Sequence, residues 1–376
     1  MKESSTKEGK GKAASARTLE KGLRILEAVE KAGRPVTIQE VTRTTGIQRL
    51  AVYRLLSTLE ERGYVYRSAD KRYHALIVRR RLLAGYAAPL SGTPFRQEVA
   101  ASIKRAASQS GFELMMLHNE EDDAATAMRN IEALLERRAD VVMFFQPVET
   151  LGHMMADRLF GAGVRFITIE SPIQGGIYFG ANNYQAGRLA GIALGNFARD
   201  KWRGRFDSVV LLEGTRAGTN AQARLAGALV GVREVLGELA QSHVIHLDGH
   251  ARQESSRAAM ANLIRTLRPG TRLLVSGFND PSSVGAAEAV RAEGREADIA
   301  IVSQNATSEG RAEIRKPGSC LFASVAYFPE RYGEKLLEMA WALALADPLP
   351  PAVYTEHVLL NRDNVDQFYP EPLVRA

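Results

Sequence analysis

The sequence predicts a small helical head closed by a β-hairpin, joined to a two-lobed α/β body whose parallel sheets are flanked by helices. Charge placement is the first observation behind this expectation. Residues 1–80 carry 18 Lys+Arg against 9 Asp+Glu, whereas the rest of the chain carries 31 against 34, so the net charge of +6 belongs to the beginning of the chain. Periodicity is the second: apolar residues at helical spacing fill the region before Gly63, and short apolar runs alternate with amphipathic helices through most of residues 80–376. Size is the third, because 376 residues exceed a single typical core and the alternating region alone is long enough for two.

Residues 1–16, at the start of the head, are rich in Lys, Ser and Gly and lack periodicity, which predicts a disordered basic arm with order beginning near Thr18. Leu19, Leu23, Leu26 and Val29 mark the apolar face of a first helix that Gly33 and Pro35 end. Thr37 with Glu40 three residues on is a capping-box signature, and the short second helix it opens closes at Gly46. Val52, Leu55, Leu56 and Leu59 line a third helix ending at Gly63, which leaves Gln48, Arg49, Tyr53 and Arg54 on its other side. Two helices joined by a tight Gly-containing turn make a helix-turn-helix. The runs YVYRS and KRYHA around Ala69-Asp70 then predict a hairpin wing bearing Arg67, Lys71 and Arg72. The predicted winged helix-turn-helix domain covers residues 17–79.

The order helix, helix, helix, hairpin, with TLEKGLRILEAV and AVYRLLSTLEERGYVYR and a wing ending in Tyr73, resembles the IclR-type winged helix over residues 17–78. It departs from that family at Leu50 and Ala51, where Ser-Thr is the family's pattern. The resemblance implies double-stranded operator DNA as partner, with the helix beginning near Gln48 in the major groove. Gln48, Arg49 and Tyr53 would face base edges, and Arg54, Arg67, Lys71 and Arg72 would meet phosphates. A basic head on a mildly acidic body fits that partner, and a homodimer is expected because one head reads few base pairs. A head that docks a protein instead, on a cytosolic solute-binding sensor, is the alternative.

From residue 80 onward, runs such as LLAGYAAP, FELMMLH, ADVVMFFQP, VRFITIE, DSVVLLEG, SHVIHLDG, RLLVSGFND and DIAIVSQN each precede an amphipathic segment. Strict βα alternation predicts parallel sheets covered on both faces. Such sheets bind ligands beyond the carboxyl ends of their strands. Those positions are polar: Thr93, Phe95 and Arg96 after the first run, Gln146 after the third, Glu170 after the fourth, Asn279 and Asp280 after VSGF, and Gln304 and Asn305 after AIVS. Carboxylate and amide groups there suit a hydroxyl-rich ligand, and Phe95 offers a ring face. Asp280 ahead of Pro281 is also a good helix cap and Gln304 with Asn305 also suits a turn cap, and both readings stay open.

Five stretches in order, YFGANNYQAGRLAG, ARLAGALVGVRE, FNDPSSVGAAEAVRAEG, SVAYFPERYGEKLLEMA and PAVYTEHVLLNRDNVDQF, resemble the type I periplasmic-binding-protein fold of lactose-repressor-type regulators over residues 80–376. The resemblance implies an amino-terminal lobe of about 80–182 and 322–348 and a carboxy-terminal lobe of about 183–321 and 349–376. It implies ligand contacts from Phe95, Arg96, Glu170, Arg224, Asn279, Asp280, Gln304 and Tyr327, with Arg224 as a bidentate donor. The effector would be a sugar, polyol or sugar acid. Glu170 stands where an aspartate is usual and Tyr327 where an amide is common. The hinge helix of that family is absent, and Arg79, Arg80 and Arg81 run straight from wing to first strand.

A single cysteine, Cys320, precludes an internal disulfide framework and fits a reducing compartment. No apolar run reaches a membrane span and the beginning of the chain lacks the pattern of a secretory signal, so a cytoplasmic location is expected. No GxSxG, GxxxxGK[ST] or HExxH motif occurs, which leaves no catalytic residue, cofactor or metal site to expect. His243, His246 and His250 read as a strand and its loop.

Overall fold

In the computed structural model of the chain, residues 8–68, 70–76, 82–110, 112–120, 122–214 and 218–370 are described, apart from the side chains of 8–16 and 218–221. Residues 1–7 of the expected arm, Ala69 of the wing turn and the Arg79–Arg81 run lie outside the described residues. The chain divides into two compact units, one holding the chain up to Leu82 with Ser108–Glu113, the other holding Leu83–Ala107 and everything from Leu114.

The head is built from α1 (Glu8–Lys31), α2 (Ile38–Thr45) and α3 (Arg49–Glu61), then β1 (Val65–Arg67) and β2 (Tyr73–Ala75). α1 begins at Glu8, well ahead of the start expected near Thr18. The capping box at α2 is present: the Thr37 side chain accepts from the Glu40 N–H, and Glu40 accepts from the Thr37 N–H at 2.7 Å. Gly46 ends α2 in the left-handed region (φ 68°), where a residue without Cβ is unstrained. β1 and β2 pair antiparallel, and Val36 adds a bridge to Tyr73 through two backbone hydrogen bonds. Ile25, Val29, Val36, Val41, Ile47, Val52, Leu56, Val65 and Tyr73 form the core. Leu19 and Leu23 do not join it and are 65% and 50% exposed. The buried stripe of α1 runs instead through Gly22, Ile25 and Val29, one position round the helix from the stripe that sequence spacing suggests.

The body carries two six-stranded sheets. The first has the order β13 (Ala352–Tyr354), β7 (Ile177–Gly180), β6 (Arg165–Ile169), β5 (Val141–Phe144), β3 (Leu83–Ala88), β4 (Glu113–His118). Helices α4 (Pro94–Gln109), α5 (Ala124–Glu136), α6 (Glu149–Gly161) and α12 (Tyr332–Ala344) accompany it. The second has the order β14 (Val358–Asn361), β12 (Leu321–Ala326), β11 (Ile299–Asn305), β10 (Leu273–Gly277), β8 (Ser208–Glu213), β9 (Val244–Asp248). With it go α7 (Asn183–Trp202), α8 (Gly218–Leu236), α9 (Gln253–Thr266), α10 (Asp280–Ala292) and α11 (Ser308–Arg315). Pairing is parallel from β13 through to β3 in the first sheet. In the second it is parallel from β12 through to β9 and antiparallel between β12 and β14. Each sheet has its own apolar core.

Two strand assignments differ from expectation. β12 lies in the second sheet beside β11, not in the amino-terminal lobe, because residues 321–326 continue the parallel ladder before the chain crosses back. β13 lies in the first sheet beside β7, where residues 349–376 were expected in the other lobe. The chain therefore crosses between lobes three times: after β7, after β12 and between β13 and β14. Hydrogen bonds tie the crossings together. The Thr355 N–H donates to the Gly180 carbonyl at 2.9 Å, the Thr355 hydroxyl to the Tyr327 carbonyl at 2.9 Å, and the Asn182 N–H to His357 Nε2 at 3.0 Å.

Candidate functional site

On the head, the outer face of α3 presents Gln48, Arg49, Tyr53 and Arg54, all exposed, while Val52 and Leu56 anchor the inner face. This is the division that the spacing implies. Gln48 caps the helix by position but makes no side-chain cap bond. Leu50 is 64% exposed on the same face. The wing cations are less uniform. Lys71 is exposed at the hairpin tip with φ 65°. Arg72 pairs with Asp70 at 3.0 Å, and the half-buried Arg67 lies over the Tyr73 ring at 5.7 Å.

In the body, Arg224 is the centre of a buried cluster. It is 7% exposed, its Nε and Nη2 donate to Asn183 Oδ1 at 2.9 and 2.6 Å, and Nη1 donates to the Phe278 carbonyl. The guanidinium carbon lies 4.8 Å from the Phe278 ring centre and 5.2 Å from that of Tyr327. Close helix packing sets this geometry. A Cβ on Gly187 of α7 would stand 1.8 Å from the Arg224 carbonyl oxygen, and one on Gly227 of α8 would stand 2.2 Å from that of Tyr184, so the two backbones touch. Tyr327 is fully buried, donates to Gln304 Oε1 at 2.9 Å and meets Phe95 edge-on at 6.3 Å; Gln304 also donates to the Ala186 carbonyl. Four expected contacts, Phe95, Arg224, Gln304 and Tyr327, are thus joined in one network.

The remaining expected residues serve differently. Glu170 accepts from the Tyr332 hydroxyl at 2.6 Å and the Ala181 N–H at 3.0 Å, which fastens the first lobe crossing to the second. Burial raises its carboxyl above the ordinary range, and the Tyr332 hydroxyl and the charge of Arg224 oppose that rise. Asn279 is the N-cap of α10: its Oδ1 accepts from the Ser282 N–H at 2.9 Å and its Nδ2 donates to the Ala251 carbonyl at 3.1 Å. Asp280 is fully buried and accepts from the Thr307 N–H and the Ser324 hydroxyl, while burial pushes its carboxyl up to about 6. Both are held inside their own lobe, but the cap is Asn279 and not Asp280, which is the first residue of the helix and bonds across to Thr307 and Ser324. Gln146 is fully buried; its Oε1 accepts from the Val148 N–H, and its Nε2 has no partner among the described residues. Arg96 lies over Phe145 at 5.7 Å.

Sequence reasoning missed Asn183, Phe278, Tyr332 and His357. Asn183 had a signal: Asn182 alone caps α7, accepting from the Gln185 N–H, so the second asparagine is more than the cap requires. His357 sits 4.9 Å from Tyr327, ring centre to ring centre, and burial lowers it from an ordinary 6.5 to about 4, helped by Arg224. Among the described residues no group of three or more His, Cys, Asp and Glu could hold a metal ion, and no helix is long and apolar enough to cross a membrane.

The family model described as "Periplasmic binding protein domain" matches residues 84–347, and that described as "IclR helix-turn-helix domain" matches residues 18–69. Among solved structures, a periplasmic solute binding protein of an ABC transporter from Actinobacillus succinogenes 130z, with bound D-allose, has a TM-score of 0.66 at 14% identity over 76% of this chain and 99% of that chain. A Mycobacterium smegmatis protein in complex with β-D-fucofuranose has a TM-score of 0.65 at 22% identity over 77% and 94%. A Bacillus halodurans C-125 solute binding protein with bound myo-inositol has a TM-score of 0.64 at 17% identity over 77% and 97%. These likenesses establish the type I periplasmic-binding-protein fold of the body. No curated protein matches the chain.

Proposed function

The chain belongs to the periplasmic binding protein domain family and carries an IclR helix-turn-helix domain at its head, and from that premise we propose that it is a transcription regulator whose DNA binding responds to a sugar or sugar-like molecule. One observation carries this reading: an exposed polar face on α3 and a buried polar and aromatic cluster at Arg224 occur in the same chain. In this reading Gln48, Arg49 and Tyr53 meet base edges and Arg54 and Lys71 meet phosphates, in a cytoplasmic setting. Phe95, Arg224, Gln304 and Tyr327 receive the effector, and lobe closure about the three crossings changes the head's grip on DNA. The effector acts only through its different affinity for the two arrangements, about 1–3 kcal/mol for typical coupling. No catalytic role is part of the reading.

A homodimer on a pseudo-palindrome completes it, and the exposed Leu19 and Leu23 of α1 support such pairing. Sedimentation velocity on the purified chain checks this directly. Mobility shift of chromosomal operator fragments, with and without a panel of sugars, polyols and sugar acids, tests the regulatory reading. A grip on DNA indifferent to every compound the body binds sinks it. The exposed Leu50 on the reading face favours a second reading, a protein-docking head on a cytosolic sugar sensor. Retention on random duplex DNA supports the first reading, and its absence supports the second.

A further inference from the structure

We infer that the Tyr327 side chain is a built-in occupant of the effector's place, joining the two lobes until a sugar displaces it; this rests on the reading of the body as a sugar binder. Tyr327 follows β12 at the second crossing, and its fully buried ring reaches groups of both lobes. From the first lobe, Phe95 near the start of α4 meets the ring edge-on at 6.3 Å. From the second, Gln304 near the end of β11 accepts from the hydroxyl at 2.9 Å, and Arg224 of α8 lies against the ring and donates to the hydroxyl. All three of these side chains are themselves buried.

A phenol imitates what a sugar ring presents, an apolar face for aromatic side chains and a hydroxyl for amide and guanidinium groups. With the phenol seated, the polar groups around it are already partnered. The three guanidinium nitrogens of Arg224 bond Asn183 and the Phe278 carbonyl, and Glu170 of the first lobe brings an opposite charge. Gln304 Nε2 donates to the Ala186 carbonyl at 3.3 Å while its Oε1 holds the phenol. A sugar gains the partners of the phenol only by taking them from it. The main chain is pinned, since the Thr355 hydroxyl bonds the Tyr327 carbonyl and Phe328, with φ 55°, is packed among Ala306, Ala326, Leu360 and Val365. Rotation of the Tyr327 side chain is the motion that remains. A tethered occupant lowers apparent affinity by the fraction of time it stands aside, about tenfold for a phenol seated about nine-tenths of the time. Tyr327 therefore receives the effector by yielding to it, and the loss of the bridging ring frees the lobes to change arrangement.

Two variants of the full chain test this: Tyr327→Asn removes the ring, and Tyr327→Phe keeps the ring and loses both bonds of the hydroxyl. In small-angle X-ray scattering without added sugar, Tyr327→Asn is expected to show a larger radius of gyration than the unaltered chain, because the lobes part. In isothermal titration calorimetry with D-allose, D-galactose, D-glucose and myo-inositol, Tyr327→Asn is expected to bind one compound at least about tenfold more tightly than the unaltered chain. Tyr327→Phe is expected to bind it several-fold more tightly, since one anchor of the phenol is gone. A tyrosine that only touched the sugar or supported the fold would give the opposite sign in both. Should Tyr327→Asn not fold, Tyr327→Phe decides by its affinity alone. Equal or weaker sugar binding by the variants overturns the displaced phenol and leaves the sugar reading standing, and an unchanged radius of gyration in Tyr327→Asn overturns the bridge. Binding of none of the compounds by any of the three proteins overturns the sugar reading and the exchange with it.

Discussion

The α3 face and the Arg224 cluster, the two surfaces proposed to carry the function, are of opposite construction. On α3, the polar residues are sequence neighbours on one helix, held outward because Val52 and Leu56 are held inward. At Arg224, the partners come from α7, the turn after β10 and the crossing after β12, and only the folded topology brings them together. A surface written along one helix tolerates change in its surroundings. A site assembled by convergence inherits every error in the packing beneath it.

The largest expected effect tests that difference through helix packing. A Cβ at Gly22 on α1 would meet Leu55 Cδ2 at 3.9 Å, an ordinary contact, whereas one at Gly187 would overlap the Arg224 carbonyl. Gly187→Ala is expected to destabilise the body by about 3 kcal/mol and to weaken effector binding with it, because α7 and α8 must separate. Gly22→Ala is expected to be neutral or to stabilise the head by up to about 1 kcal/mol, as removal of a mid-helix glycine does. Denaturant unfolding of each variant measures both; similar losses at the two positions would erase the contrast.

Acid addresses the converged region through His357. Its Nε2 accepts the Asn182 N–H, which requires a neutral ring, and its folded value of about 4 lies below the ordinary 6.5. Between those values the unfolded chain holds a proton that the folded chain does not. Stability contributed here is therefore full above pH 6.5 and declines as pH falls toward 4, by about 2 kcal/mol at pH 5. Asp280, raised to about 6, has the opposite slope between 3.8 and 6, so the informative quantity is a difference between proteins that share it. Relative to its own stability at pH 7.5, His357→Gln is expected to lose about 2 kcal/mol less than the unaltered chain at pH 5. Parallel pH profiles for the two proteins would remove His357 from the hinge.

Local features were legible in the sequence from spacing, whereas of the convergent cluster Phe95 and Gln304 were legible from their strand-end positions, Arg224 and Tyr327 were legible only through a family resemblance, and Asn183, Phe278, Tyr332 and His357 were not. The capping box at Thr37 and Glu40, the outward set Gln48, Arg49, Tyr53 and Arg54, and the βα alternation all derive from spacing, and the structure contains them. α1 exposes the limit of spacing. Leu19, Leu23, Leu26 and Val29 make one apolar stripe and Gly22, Ile25 and Val29 an adjacent one, and periodicity does not choose between them; packing against α3 does. The lobe of β12 depended on which ladder the strand extends, and residues 321–326 look alike in either. Asn279 shows a further limit, because the same amide suits a ligand or a cap until its neighbours Ser282 and Ala251 are in place.

The smallest effects belong to the head and separate its contacts from one another. Arg49→Ala is expected to weaken operator binding by about 1.5 kcal/mol, roughly tenfold, and to relax preference at the base it reads. Equal affinity of Arg49→Ala and the unaltered chain in a mobility shift would dismiss α3 as the reader. Lys71→Ala should weaken binding to all sequences alike and reduce the slope of log affinity against log salt by about 1, since one phosphate contact releases about one counterion. Arg72→Ala should reduce that slope less, because Asp70 already holds Arg72 at 3.0 Å and a guanidinium shared with a carboxylate offers a phosphate only part of its charge. Equal slopes for the two variants would mean that the Asp70 pair opens on DNA and that all the wing's exposed cations are available to the backbone.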